Sequence, residues 1–346
     1  MLRARGERVG EIPRLKSGLQ GPEDTTSPAR PRTGRRGPGG SRPASTGTLS
    51  ATLGGVPDYA ITYGKAQVPV YRHRATPLSG LPEVPESVVT GRSNALVAAT
   101  VTVEVFGDNF LPAYTEGDNS MVVATDSMKN LILRETGTWT GATLESLLRH
   151  LGGHLLDGYP QMESLRVEGE EIRFVPAGHG DALLARAPGD HAIADMRLER
   201  DSERVRIGAL RAGRRGMALL KPTGSAFTAF VRDGYTTLPD RRDRPLYIAL
   251  DVAWRYADPE DALGADPARY VDAEQVRDVC AAVFAGLVSE SIQHLVHAMG
   301  ERVLERFPGL AEVAFDARNM TRDPVVEGVF TDPFPAQGTI TLAVRR

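Results

Sequence analysis

A chain of 346 residues, 41% of them hydrophobic and 25% charged, is long enough to bury one large core or two moderate ones. Its 44 acids against 41 bases argue against a nucleic-acid-binding body, and a single cysteine, Cys280, excludes an internal disulfide framework. No stretch approaches the roughly 18 consecutive apolar residues of a membrane span.

Residues 1–50 hold about ten Lys and Arg against about four acids, with Pro, Gly and Ser clustered from Gly21 to Gly47. Such a segment buries too little apolar surface to offset its ordering entropy and reads as a disordered tail, and it lacks the apolar run of a secretory signal. Next, Tyr63 to Arg74 reads as a short strand entered through a Tyr63-Gly64-Lys65 turn, and Ala95 to Phe106 alternates Val and Thr with the period of two that strands require. Helix-type spacing follows over Asp126 to Arg134 and over Thr143 to Leu155, with Thr143 a candidate N-cap, before strand alternation returns from Ser164 to Phe174. The second half predicts strands at Met217 to Leu219, Thr228 to Val231 and Leu246 to Trp254. Helices are expected from Asp272 to Leu287 and from Ser289 to Phe307, the latter stopped by Pro308, with closing strands at Val313 to Asp316 and Thr339 to Val344. Cys280 falls in an apolar stretch and reads as a packed core thiol.

The order strand, strand, helix, helix, strand, strand thus occurs twice, over residues 51–205 and 206–346. An antiparallel sheet in each unit needs its apolar face covered by that unit's own two helices, so the expected fold class is α+β with two tandem units.

The sequence contains no P-loop, no Gly-rich dinucleotide turn after a strand and no Gly-x-Ser-x-Gly elbow, which leaves the common cofactor and nucleophile classes without support. His150 and His154 stand at i and i+4 on a predicted helix, a spacing that lets two imidazoles share a metal. No acid accompanies them in a metalloprotease-like pattern, so they are read as helix surface or partner contacts; neither a metal nor a cofactor is expected.

Four short runs carry the chemistry. The first is Tyr63-Gly64-Lys65. In the second, Gly117-Asp118-Asn119-Ser120 leads through Thr125-Asp126 to Lys129-Asn130, and a strand gives way to a helix. Unpaired N–H groups of Thr125 and Asp126 there can donate to an anion, although either residue can equally cap a helix starting at Ser127. The third extends from Lys221-Pro222-Thr223-Gly224-Ser225-Ala226-Phe227 through Tyr235-Thr236-Thr237-Leu238 to Asp243-Arg244, and pairs a flat aromatic with a guanidinium fork. The fourth, Ser291-Ile292-Gln293, places a primary amide, which both donates and accepts, on the last long helix. Taken singly these are a surface turn, a helix cap, a core Phe with a salt-bridged Arg, and an exposed Gln.

Taken together, and in this order, the runs resemble the urate oxidase (uricase) family over most of residues 59–346. The resemblance implies the tunnelling fold, in which two such units per chain join and subunits close their sheets into an oligomeric barrel. It implies cofactor-independent oxidation of urate with O2 and water to 5-hydroxyisourate and hydrogen peroxide. An oxidase without flavin, haem or metal must let its substrate supply the electrons. By the same resemblance Lys65 and Thr125 form a proton relay, Thr125 and Asp126 donate to the purine edge, and Phe227 stacks on the ring. Arg244, Ile292 and Gln293 hold its polar edge, and Asn319 binds O2 or water above it. The implied partners are urate, O2 and further copies of the chain, in a homotetramer with shared sites; neither nucleic acid nor membrane is expected.

One position departs from the family. Its Asn-Lys-His run, whose histidine completes the relay, reads Asn319-Met320-Thr321 here, and threonine holds no transferable proton near neutral pH. Two alternatives follow from that departure: oxidation of a different 8-oxopurine or related heterocycle, and a non-catalytic purine-binding protein of the same fold. The C terminus, Ala343-Val344-Arg345-Arg346, carries no Ser-Lys-Leu peroxisomal address, which makes the cytoplasm the default location.

Overall fold

Strand propensity and helix spacing are realised in the order expected. A computed structural model of the chain describes residues 59–202, 204–320, 322, 324–333 and 335–346. The expected tail at 1–50 and Thr321 lie outside the described residues.

The first half opens with β1 (Thr62–His73), a small hairpin of β2 (Leu78–Ser79) and β3 (Gly91–Arg92), and β4 (Leu96–Phe106). A turn of helix, α1 (Leu111–Thr115), leads to α2 (Thr125–Thr138) and α3 (Leu144–Gly158), then to β5 (Ser164–Glu171), the hairpin β6 (Phe174–Pro176) and β7 (Leu184–Arg186), and β8 (His191–Asp201). The second half repeats the plan. It contains β9 (Arg204–Lys221), β10 (Leu246–Tyr256), α4 (Ala273–Gly286), α5 (Ile292–Arg306), β11 (Leu310–Asn319), the hairpin β12 (Pro324–Val326) and β13 (Val329–Phe330), and β14 (Gly338–Arg345). Long strands from both halves form one antiparallel eight-stranded sheet in the order β1-β4-β5-β8-β9-β10-β11-β14. Residues 205 and 206, the expected junction between units, both lie within β9.

The helices share one face of this sheet: α2 packs on β1, α3 on β5 and β8, α4 on β9, and α5 on β11 and β14. Period-two burial shows the sidedness most clearly in β10, where Leu246, Ile248, Leu250, Val252 and Trp254 are buried and the residues between them are not. Helix spacing matches this face, with Leu147, Leu148, Leu151 and Leu155 of α3 fully buried. Thr143 is the N-cap foreseen, accepting from Ser146 N–H at 3.1 Å while the Ser146 hydroxyl accepts from Thr143 N–H at 3.2 Å. Cys280 is buried in the same core, where burial pushes its thiol up to about 12. The opposite face of the sheet is charged: Arg166 forks onto Asp195 at 2.9 and 2.6 Å, and Arg318 meets Asp251 at 3.3 Å.

Three sequence expectations fail locally. No strand leads into α2: residues 117–124 form a loop, with Val122 N–H donating to Asn119 O at 3.0 Å. Tyr63-Gly64-Lys65 lies inside β1, paired with Val105, Glu104 and Val103, and forms no turn. Gly64 is required there because a Cβ would run into the Val103 main-chain oxygen. Thr228 to Val231 form no strand. Ala229 takes a positive φ of 58°, and the segment loops back so that Phe227 and Arg241 form an isolated antiparallel bridge. Among the described residues no helix is long and apolar enough to cross a membrane.

Candidate active site

The expected site residues fall into two groups, each built on its own half of the sheet. The first forms where β1 meets the start of α2. Val123 N–H donates to the Tyr63 hydroxyl at 3.2 Å, and the Tyr63 ring packs edge-on against Phe110 at 5.0 Å between centroids. These contacts fix the approach to α2 beside Lys65. A β-bulge follows Lys65 at once, with Gln67 at φ 59° and its N–H donating to the Thr102 hydroxyl at 3.1 Å.

Neither Thr125 nor Asp126 caps the helix: the N-cap is Ala124, which has no side chain to offer, and α2 starts at Thr125. The first N–H groups of the helix are therefore left for water or a ligand, at the positive end of its dipole. Asp126 is exposed and turns its carboxylate along the helix to Lys129 and, at 3.0 Å, to Asn130. Its carboxyl is held below the ordinary range, chiefly by the Lys129 hydrogen bond and in smaller part by the charge of Lys65, which places Lys65 within electrostatic reach of this helix start.

The second group lies at the far side of the sheet. Ala226 N–H donates to Ser289 O at 2.7 Å, and the buried Ser225 and Ser289 hydroxyls meet at 3.3 Å, so the Phe227 loop is stitched to the segment entering α5. Arg244 N–H donates to Ser225 O at 2.9 Å, which brings its guanidinium to 5.6 Å from the Phe227 ring centroid. One face of Phe227 is occupied: Phe230 stacks on it, 4.9 Å between centroids and 9° from parallel. Arg244 is half-buried, its Nε has no partner, and burial together with nearby Arg241 lowers its pKa. It opens into a cleft with Tyr247, Asn319, Met320, Arg322 and Phe330.

On α5, Ile292 is buried in the core, which leaves its main chain at the first helical position rather than its side chain for any contact. Gln293 is exposed beside it. Asn319 ends β11 opposite Ile248 and Gly338.

Sequence reading missed Tyr247, Arg322 and Phe330. Tyr247 has a signal in retrospect, since it stands on the face of β10 opposite its run of buried residues; Arg322 lies over its ring at 5.0 Å. It also missed Asp243, whose carboxylate accepts from Gly224 N–H at 2.7 Å and the Thr223 hydroxyl at 2.6 Å and so closes the loop that carries Arg244.

Within one chain the two groups do not meet. From β1 to β10 is five inter-strand steps, roughly 24 Å along the sheet at about 4.8 Å per step, which exceeds the span of a purine.

A family model for uricase matches residues 210–332, the stretch holding Phe227, Arg244, Gln293 and Asn319. A uricase of Haloferax volcanii is 48% identical over 271 residues, which cover 75% of this chain and 88% of that protein. Among solved structures, a uricase from Bacillus fastidious aligns with a TM-score of 0.81 at 39% identity, over 84% of this chain and 94% of that one. Urate oxidase from Bacillus sp. TB-90 aligns with a TM-score of 0.80 at 37% identity, over 83% and 100%.

Proposed function

Because the chain belongs to the uricase family and is an enzyme of urate-oxidase type, we propose that it oxidises urate with O2 and water to 5-hydroxyisourate and hydrogen peroxide, without a cofactor. One O2 and one water are consumed per urate, and two electrons pass from the purine to oxygen. The electron-rich urate dianion can reduce oxygen directly, so the protein supplies deprotonation, orientation and electrostatics. Arg244 carries the reading. A half-buried guanidinium without an ion pair among the described residues, opening into a cleft with Asn319, is costly until a ligand completes it. The acceptor edge of a purine anion matches its planar fork.

In this reading Arg244 and Gln293 hold the purine edge and Phe227 stacks on the ring. Asn319 binds O2 or water above it, the open N–H groups of Thr125 and Asp126 face the opposite edge, and Lys65 moves protons through the Thr125 hydroxyl. The two groups come from different copies in a homotetramer. Two observations support this: the distance between them along one sheet, and the outer edges of β1 and β14, which have no partner strand among the described residues and which a neighbouring copy would cover.

Oxygen uptake with urate under air, followed with loss of urate absorbance from about pH 6 to pH 10 to bracket the ordinary His and Lys values, tests the reaction. Stoichiometric uptake without added metal is expected. Because Thr321 stands where the family carries its relay histidine, two other outcomes would redirect the proposal. Urate bound without uptake would make the chain a purine-binding protein, and uptake only with another 8-oxopurine would change the substrate.

A further inference from the structure

The acid missing from the sequence pattern around His150 and His154 is supplied by the neighbouring helix. Glu135, near the end of α2, reaches the two histidines of α3, and one ring nitrogen from each plus a carboxylate oxygen lie within 4.8 Å of one another. His154 Nε2 is 3.7 Å from Glu135 Oε2, and the imidazoles stand edge to face with centroids 4.5 Å apart. Ligand atoms of a tetrahedral zinc site, at bonds of about 2.05 Å, sit roughly 3.3 Å apart, so side-chain rotation alone closes the set.

The surrounding hydrogen bonds prepare it. His150 Nε2 is 3.0 Å from the Glu135 main-chain oxygen, which only accepts, so Nε2 carries the proton and Nδ1 the lone pair. Ligation through Nδ1 would leave Nε2 its contacts with that oxygen and, at 3.1 Å, with the Thr138 hydroxyl, which fix ring and tautomer. The Thr138 hydroxyl donates to Glu135 Oε2 at 2.9 Å and orients the carboxylate. A cleft bordered by Trp139, Arg149 and Asp157 leaves room for water as fourth ligand.

We propose that Glu135, His150 and His154 form a binding site for a late first-row divalent cation, zinc foremost, that clips α2 to α3. Two imidazoles and one carboxylate with an open position suit Zn²⁺ and its Co²⁺ or Ni²⁺ substitutes better than the all-oxygen preference of Mg²⁺ or Ca²⁺. The site is structural, standing at the opposite end of α2 from Thr125 and Asp126.

The test uses chelator-stripped full-length protein, with Zn²⁺ followed by calorimetry and Co²⁺ by its visible spectrum. One ion per chain is expected, with a rise in melting temperature on adding Zn²⁺. His154→Ala and Glu135→Gln should each weaken binding by about tenfold or more. His154 is half-exposed, so its removal leaves the core intact. His297→Ala, at the other surface His–Glu pair (His297 Nδ1 to Glu301 Oε2, 3.6 Å), should bind as the parent does. Absence of binding, unchanged affinity in both site variants, or loss in His297→Ala would each overturn the proposal.

Discussion

At the level of single residues, the proposed site gives Arg244 the task of holding the purine and Lys65 that of moving its protons. The Arg244 loop is anchored by Asp243 to Gly224 and Thr223, and its guanidinium lies over the Phe227 ring with its Nε unpartnered and no ion pair among the described residues. Arg244→Ala should therefore raise the urate dissociation constant about 10- to 100-fold, the worth of one charge-assisted contact. Lys65→Ala removes the proposed proton carrier while leaving Arg244 in place, so turnover should fall roughly 100-fold or more with the dissociation constant little changed. Anaerobic binding titrations beside steady-state oxygen uptake separate the two; equal losses of binding in both variants would overturn this division. Asp243→Ala touches the loop rather than the ligand and is expected to raise KM for urate with a smaller effect on kcat.

At the level of elements, the close approach of β1 to β4 rests on Gly64, since any Cβ meets the Val103 main chain. Gly64→Ala should cost about 1–3 kcal/mol and displace Lys65 from its position beside α2, read as a lower melting temperature together with lost turnover. The first turn of α3 makes a second prediction. Burial pushes the Glu145 carboxyl up from 4.5 to about 7, outweighing the hydrogen bond from its own backbone and the one from Tyr270 at 3.1 Å, with Arg92 and Asp272 nearby. The folded chain thus holds this proton to higher pH than the unfolded chain. Its contribution is fully present below about 4.5 and is lost as pH rises through about 7, by at most on the order of 3 kcal/mol. Glu145→Gln should flatten the fall in melting temperature between pH 5 and pH 8, a window set by those two values. A parallel decline in both proteins would refute the assignment. These elements also show what sequence could tell. Helix α3 was legible because its Thr143 cap and apolar stripe are local signals. Most of β9 and all of β8 were not, because small residues such as Ala212 fill core positions and Arg214 is fully buried, paired with Asp190 and with Glu274 at 3.2 Å. That pairing exists only after folding, so the alternation it interrupts could not be seen. In the site, the motifs identified residues while the geometry around them stayed hidden: the Phe230 ring on Phe227, and Tyr247 beneath Arg322.

At the level of the whole molecule, the sheet has one helix-covered face, one charged face and, among the described residues, two edges without a partner strand, the kind of edge that proteins cover or pair. The proposed closure by a second copy would solve the edge problem and the site problem together, since it would bring the Lys65 and Thr125 end of one chain to the Arg244 and Asn319 end of another. This makes a prediction that neither single substitution can deliver. Chains carrying only Lys65→Ala retain Arg244, and chains carrying only Arg244→Ala retain Lys65. When the two impaired proteins are unfolded together, mixed, refolded and assayed at urate well below the KM of the Arg244→Ala protein, a site shared between chains draws its Lys65 half from one copy and its Arg244 half from another. Random assortment gives both intact halves in about one quarter of sites, so close to a quarter of the parent's oxygen uptake should return. Mixing without dissociation should restore nothing, which controls for contamination. If the site were complete within each chain, every site in the mixture would keep one defect, and no activity would return at any ratio of the two proteins.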